Sequence, residues 1–118
     1  MTLSALLYVA LGAFAGGVLR YGFTRILPSP ICTFAANLVG SLAIGLAYGA
    51  LSLGAGEEII SPLCIVGFAG GLSTWSTFAK ELGEMVKEKR YWAFIQYLFW
   101  SLGLGIAVAW LGATWIAF

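Results

Sequence analysis

The chain has no histidine and no aspartate, and only 9% of its 118 residues are charged. Without histidine there is no imidazole metal ligand and no histidine proton shuttle. The acids are five glutamates, Glu57, Glu58, Glu81, Glu84 and Glu88, all in or beside expected loops. The apolar runs therefore hold no nucleophile–base pair, acid–base pair or metal set, which argues against an enzyme. The two cysteines, Cys32 and Cys64, lack CxxC spacing, and each falls inside an apolar run. They read as small buried apolar residues rather than as a disulfide. A net charge of +1 argues against nucleic acid as a partner. A soluble domain carries roughly a quarter charged residues, so too few are present here to solvate a globular surface.

What the chain does have is apolar length. Hydrophobic residues make up 61% of it, with five Trp, five Tyr and eight Phe suited to membrane interfaces. Crossing a bilayer as helix takes about 20 apolar residues. Four spans are expected, at about 3–21, 31–53, 59–79 and 91–118. The first does not read as a signal peptide, because its arginines follow the apolar stretch instead of preceding it. An all-α integral membrane protein with one four-span domain is therefore expected.

Charge sets an orientation. Arg20, Arg25, Lys80, Lys87, Lys89 and Arg90 all fall on the side of the first and third connections. The other side, with both termini and the Glu57–Glu58 loop, has no Lys or Arg. The positive-inside rule then puts both termini outside a plasma or inner membrane. The cluster KELGEMVKEKR reads either as an anionic-lipid or protein docking patch or as a solvated connection, and the second is preferred.

Polar and small residues inside the spans are the next signal. Asn37, Ser41, Gly45 and Gly49 are spaced four apart and share one helix face. Gly12 with Gly16, Gly67 with Gly71, and Ser101 with Gly105 and Ala109 repeat the pattern, which suits close helix packing. Asn37 needs partners for both donor and acceptor, so it is either an interhelical clamp or a pore-lining donor. Arg20 either snorkels to the interface or makes a positive vestibule.

The stretch GFAGGLSTWSTF, residues 67–78, holds three glycines and four hydroxyls with no charge. Glycine weakens a helix, and Ser and Thr offer its backbone competing hydrogen bonds. A break near Gly70–Thr74 is expected, tolerated only where protein or a water-filled cavity satisfies the backbone. Freed carbonyls there can hold a cation, and freed N–H groups and hydroxyls can meet an anion. A nucleotide loop is excluded, since no Gly-Lys-Ser/Thr follows.

These residues resemble the fluoride channel family (Fluc, also called CrcB). GFAGGLSTWSTF, with Glu81 after it, is similar to the family's G-x-x-G-G-x-T-T-F-S-T-F signature followed by Glu. Gly12, Gly16 and Arg20 look like its G-x-x-x-G-x-x-x-R start. CTFAANLVGS, with Asn37 and Gly40, looks like G-T-x-x-x-N-x-x-G, and Tyr97 and Ser101 like Tyr-x-x-x-Ser. The resemblance implies antiparallel dimers of four-span subunits with two fluoride pores at the interface. It implies a structural Na⁺ at the dimer centre, held by carbonyls of Gly70 and Ser73. Trp75 and Phe78 would line each pore, Asn37 would hydrogen-bond the anion, and Ser76 and Thr77 would form a polar track. Tyr97, near the aromatic pair, and Ser101 on the last span would also belong to the fluoride pore. Arg20 and Glu81 would belong to the vestibule.

Three departures stand out. Trp75 replaces a Phe, Ser73 replaces a Thr, and six cations sit on one side against none on the other. That bias suggests one-way insertion and pairing with an oppositely oriented paralogue, instead of a homodimer. Two other classes compete. A small multidrug exporter needs a membrane carboxylate, which the spans lack. A non-transporting assembly subunit would leave the hydroxyl-rich break unexplained.

Overall fold

The computed structural model describes residues 2–54 and 56–117. Helix α1 spans Leu3–Ile26 and α2 spans Ile31–Ser52. The third span begins as α3, residues 57–72, which is α-helical at Glu57–Ile60, π-helical over Ser61–Ala69 and α-helical again at Gly70–Leu72. It resumes as α4, Trp75–Lys87, and α5 spans Tyr91–Ala117. The first, second and last helices and the combined third span are each long and apolar enough to cross a membrane.

Local chemistry sets the ends. Thr2 caps α1 by accepting from the Ala5 N–H at 3.1 Å. Pro28 keeps Leu27 extended and ends that helix. In α3 the widening starts beside Pro62, which has no N–H to give to an ordinary helical bond.

Glycine sets the packing. A Cβ on Gly12 would lie 2.1 Å from the Leu63 carbonyl oxygen, and one on Gly16 would lie 2.3 Å from that of Phe68. Backbones of α1 and α3 therefore touch, with residue numbers rising together along both helices. The same holds between α2 and α5, where a Cβ on Gly45 would lie 2.1 Å from the Ala109 oxygen. The small-residue stripes are thus helix contacts, which bring backbones close where lipid offers no hydrophobic drive for association.

Two expectations need correction. The KELGEMVKEKR cluster is mostly helix rather than loop, because α4 continues to Lys87 and leaves only residues 88–90 between helices, though most of its residues are exposed as expected of a solvated segment. Phe78, Glu81, Leu82 and Met85 recur at helical spacing and are all buried. Three of them form a core with Tyr97, against which Phe34 packs. Arg25, expected in a loop, lies in the last turn of α1. Cys32 is buried and Cys64 half-buried, and both are free thiols.

Candidate ion-conduction site

The helix break falls at Ser73 and Thr74, whose backbones are extended. Ser73 turns back on α3, its N–H and hydroxyl both donating to the Ala69 carbonyl at 2.9 and 2.7 Å. Thr74 is held from α2 instead. Its N–H donates to Asn37 Oδ1 at 2.6 Å, and Asn37 Nδ2 donates to the Thr74 carbonyl at 3.1 Å. Asn37 is therefore a clamp between spans. One of its two amide protons stays free of the Thr74 bond. A continuous helix would send the Thr74 N–H to the Gly70 carbonyl, so the clamp deprives that carbonyl of its usual donor.

Below the break Thr74 caps α4, its hydroxyl accepting from the Thr77 N–H at 3.2 Å. Its Oγ1 also lies 3.4 Å from the Ser76 hydroxyl. The start of α4 thus offers the positive end of a helix dipole beside the Asn37 amide.

Two cavities meet at Thr74. One, of about 370 Å³, is a groove lined by Asn37, Ser41, Ser73, Trp75, Phe78 and Ser101 among others. It contains no charged side chain. The Ser101 hydroxyl is buried with no hydrogen-bond partner among the described residues. Lining the groove, that hydroxyl is a donor with no internal bond to give up. The other cavity, of about 610 Å³, holds Arg20, Ser29, Thr77 and Glu81, and Thr74 lines it too.

An aromatic row borders the groove. Trp75 and Phe78 have ring centroids 5.5 Å apart, and Phe78 meets Tyr97 edge-on at 5.0 Å. Phe78 is buried, while Trp75 is 69% exposed on the single chain. Behind them Tyr97 donates its hydroxyl to Glu81 Oε1 at 2.9 Å, and Ser29 donates to the other carboxylate oxygen.

A family model described as CrcB-like protein, Camphor Resistance (CrcB), matches residues 7–113. The chain belongs to the CrcB family. It is similar to "Fluoride-specific ion channel FluC 2" of Rhodococcus jostii, 40% identical over 110 residues, 90% of this chain and 93% of the relative. It is also similar to "Fluoride-specific ion channel FluC" of Ignicoccus hospitalis, 33% identical over 114 residues, 93% of each chain. "Fluoride-specific ion channel FluC 1" of Carboxydothermus hydrogenoformans is 33% identical over 118 residues, 95% of this chain and 92% of the relative.

Within this CrcB chain most candidate residues gather at two places. Asn37, Ser73, Trp75, Phe78 and Ser101 come together at the groove, and Arg20, Thr77 and Glu81 at the second cavity. Tyr97 reaches Glu81 rather than the groove. Ser76 is exposed on α4, as is Gly70 on α3, while Ser73 is half-buried at the break. Glu81 departs from expectation, because it is 6% exposed within α4 and not beside a loop. Ser29 was not foreseen. A serine between two prolines carries no sign that it bonds a residue 52 positions away. Thr74 was expected only as part of the break. Its place at the junction of both cavities follows from the Asn37 clamp.

Proposed function

We propose that the chain is a subunit of a fluoride-selective channel that lets F⁻ leave passively and relieves fluoride toxicity. The observation that carries this reading is the uncharged groove holding the Asn37 amide and the unpartnered Ser101 hydroxyl. The names of relatives 33–40% identical over nine-tenths of the chain support it.

The chemistry is consistent with that anion. Fluoride is small and strongly hydrated, so uncompensated transfer into a low-dielectric span is prohibitive. Amide and hydroxyl donors replace its water, and the edge of an aromatic ring is electropositive. Arg20 raises the local anion concentration in the wide cavity. From there Thr77 and Thr74 hand the ion toward Asn37, Ser101 and the edges of Trp75 and Phe78. With no fixed cation in the groove the ion enters and still leaves. Glu81 holds Tyr97, which in turn supports the Phe78 ring.

Two pores at an antiparallel dimer interface complete the reading. Gly70, Trp75, Ser76 and Thr77 are exposed on the single chain, and exposed polar groups at membrane depth call for protein cover. A structural Na⁺ fits the break: the Gly70 carbonyl has lost its helical donor, and the Ser73 carbonyl sits beside it in sequence. Held by the carbonyls of Gly70 and Ser73, such an ion would supply a fixed positive charge at the break. A backbone ligand tolerates serine at position 73.

All six cations lie on one side, which supports one-way insertion in the cell membrane with both termini extracellular. It also supports pairing with an oppositely inserted paralogue. Fluoride efflux from liposomes holding this chain alone, compared with chloride, tests the reading. Robust fluoride efflux removes the need for a paralogue, and equal rates for the two anions contradict the channel.

A further inference from the structure

A separate groove of about 460 Å³ opens on the outside of the bundle. It lies between the start of α2, the end of α4 and the first half of α5. Ile31, Phe34, Met85, Trp100 and Leu104 give it apolar walls, and Arg90 stands at one end. Leu104 is fourteen residues beyond Arg90, about 21 Å of helical rise. One leaflet of hydrocarbon is about 15 Å deep, half of a typical bilayer core. The groove is therefore long enough to take an acyl chain from the head-group level to the midplane.

Arg90 is at the head-group end. It closes the short connection after α4, next to the exposed Lys87 and Lys89. Tyr91 and Trp92 follow, both exposed, as aromatic residues are at membrane interfaces. The guanidinium is loosely held: its ion pair with Glu88 measures 3.7 Å, and both side chains are more than half exposed. An exposed pair of that kind is worth little, and a guanidinium has five donors. A small cavity that shares Arg90 with the groove adds Glu81, Glu84 and Glu88, so Lys87 and Lys89 beside it are needed to keep this end attractive to an anion.

We propose that this groove binds one anionic phospholipid per chain, with the phosphate on Arg90 and one acyl chain along α5 to Leu104. Any lipid tail suits the apolar walls, and Arg90 supplies the preference for a negative head group. The site shares no lining residue with the groove at Asn37, although Tyr97, which packs on Phe78, lines it from behind.

Native mass spectrometry of the full chain, purified from membranes and mixed with phosphatidylglycerol or phosphatidylcholine, tests this. Wild type is expected to retain one phosphatidylglycerol per chain in preference to phosphatidylcholine. Arg90→Gln is expected to weaken retention about fivefold, the contribution of one juxtamembrane cation. Arg90→Lys restores most of it. Leu104→Trp shortens the groove and lowers retention of both lipids without changing the oligomeric mass. Equal retention of the two lipids, or an Arg90→Gln protein that keeps phosphatidylglycerol like wild type, overturns the proposal. A change of oligomeric mass in Leu104→Trp also overturns it, because the groove is then a protein interface.

Discussion

The side chain of Asn37 and the peptide groups of Thr74 form a closed two-bond pair across α2 and the broken third span, at 2.6 and 3.1 Å. An amide side chain here stands in for a helical neighbour. It satisfies a backbone N–H and C=O that the break would otherwise leave bare in hydrocarbon. Asn37→Leu keeps the size but removes both bonds. Thermal unfolding in detergent is expected to show a loss of about 1–3 kcal/mol, the cost of stranding buried polar groups. Stability equal to wild type would mean that the clamp holds nothing.

Ser101 separates function from stability. Its hydroxyl is buried and unpaired among the described residues, so Ser101→Ala removes a group with no internal bond to lose. Stability is expected to stay within about 0.5 kcal/mol of wild type or to rise. Fluoride efflux is expected to fall about tenfold, as for the loss of one hydrogen bond to an ion. A destabilised protein with unchanged flux would reverse both assignments.

Much of this was legible in the sequence. Four spans followed from apolar length, and the break from glycines and hydroxyls clustered in residues 67–78. The stripes at Gly12, Gly16 and Gly45 announced close helix contacts. The partner of each polar group was not legible, because partners come from chain direction and helix rotation. Asn37 was expected to be a clamp or a pore donor, and only its distance to Thr74 makes it a clamp. The helical spacing of Phe78, Glu81, Leu82 and Met85 was present but was outweighed by the charges around it. The π-helical stretch had one visible cause, Pro62, and no cue to its length.

Contact at Gly45 gives a packing test. Gly45→Ala puts a Cβ 2.1 Å from the Ala109 carbonyl oxygen, backbone that cannot step aside. A cost of about 1–3 kcal/mol is expected from overpacking, read as lost thermal stability. Gly103 has nothing within 4 Å of its missing Cβ. Gly103→Ala should be neutral or gain about 0.5–1 kcal/mol.

Tyr97 and Glu81 should behave as one unit. Tyr97→Phe keeps the ring against Phe78 but removes the 2.9 Å bond to Glu81. A loss of about 1–3 kcal/mol is expected, since among the described residues the buried carboxylate then keeps Ser29 alone. Adding Glu81→Gln should cost less than the sum of the two single changes, as for groups in one network. Strict additivity would show that the pair does not interact.

The most direct test is ion flux. Fluoride and chloride efflux should be followed from liposomes holding this chain, with an oppositely inserted partner where one is needed, for wild type, Asn37→Asp, Trp75→Phe and Phe78→Ile. Fluoride is expected to leave and chloride to stay. Phe78→Ile and Asn37→Asp should slow the fluoride, the first by removing an aromatic edge and the second by placing a negative charge at the groove. Trp75→Phe should keep selectivity for fluoride. Equal fluoride and chloride rates, or Phe78→Ile indistinguishable from wild type, would contradict a fluoride path past Asn37 and Phe78.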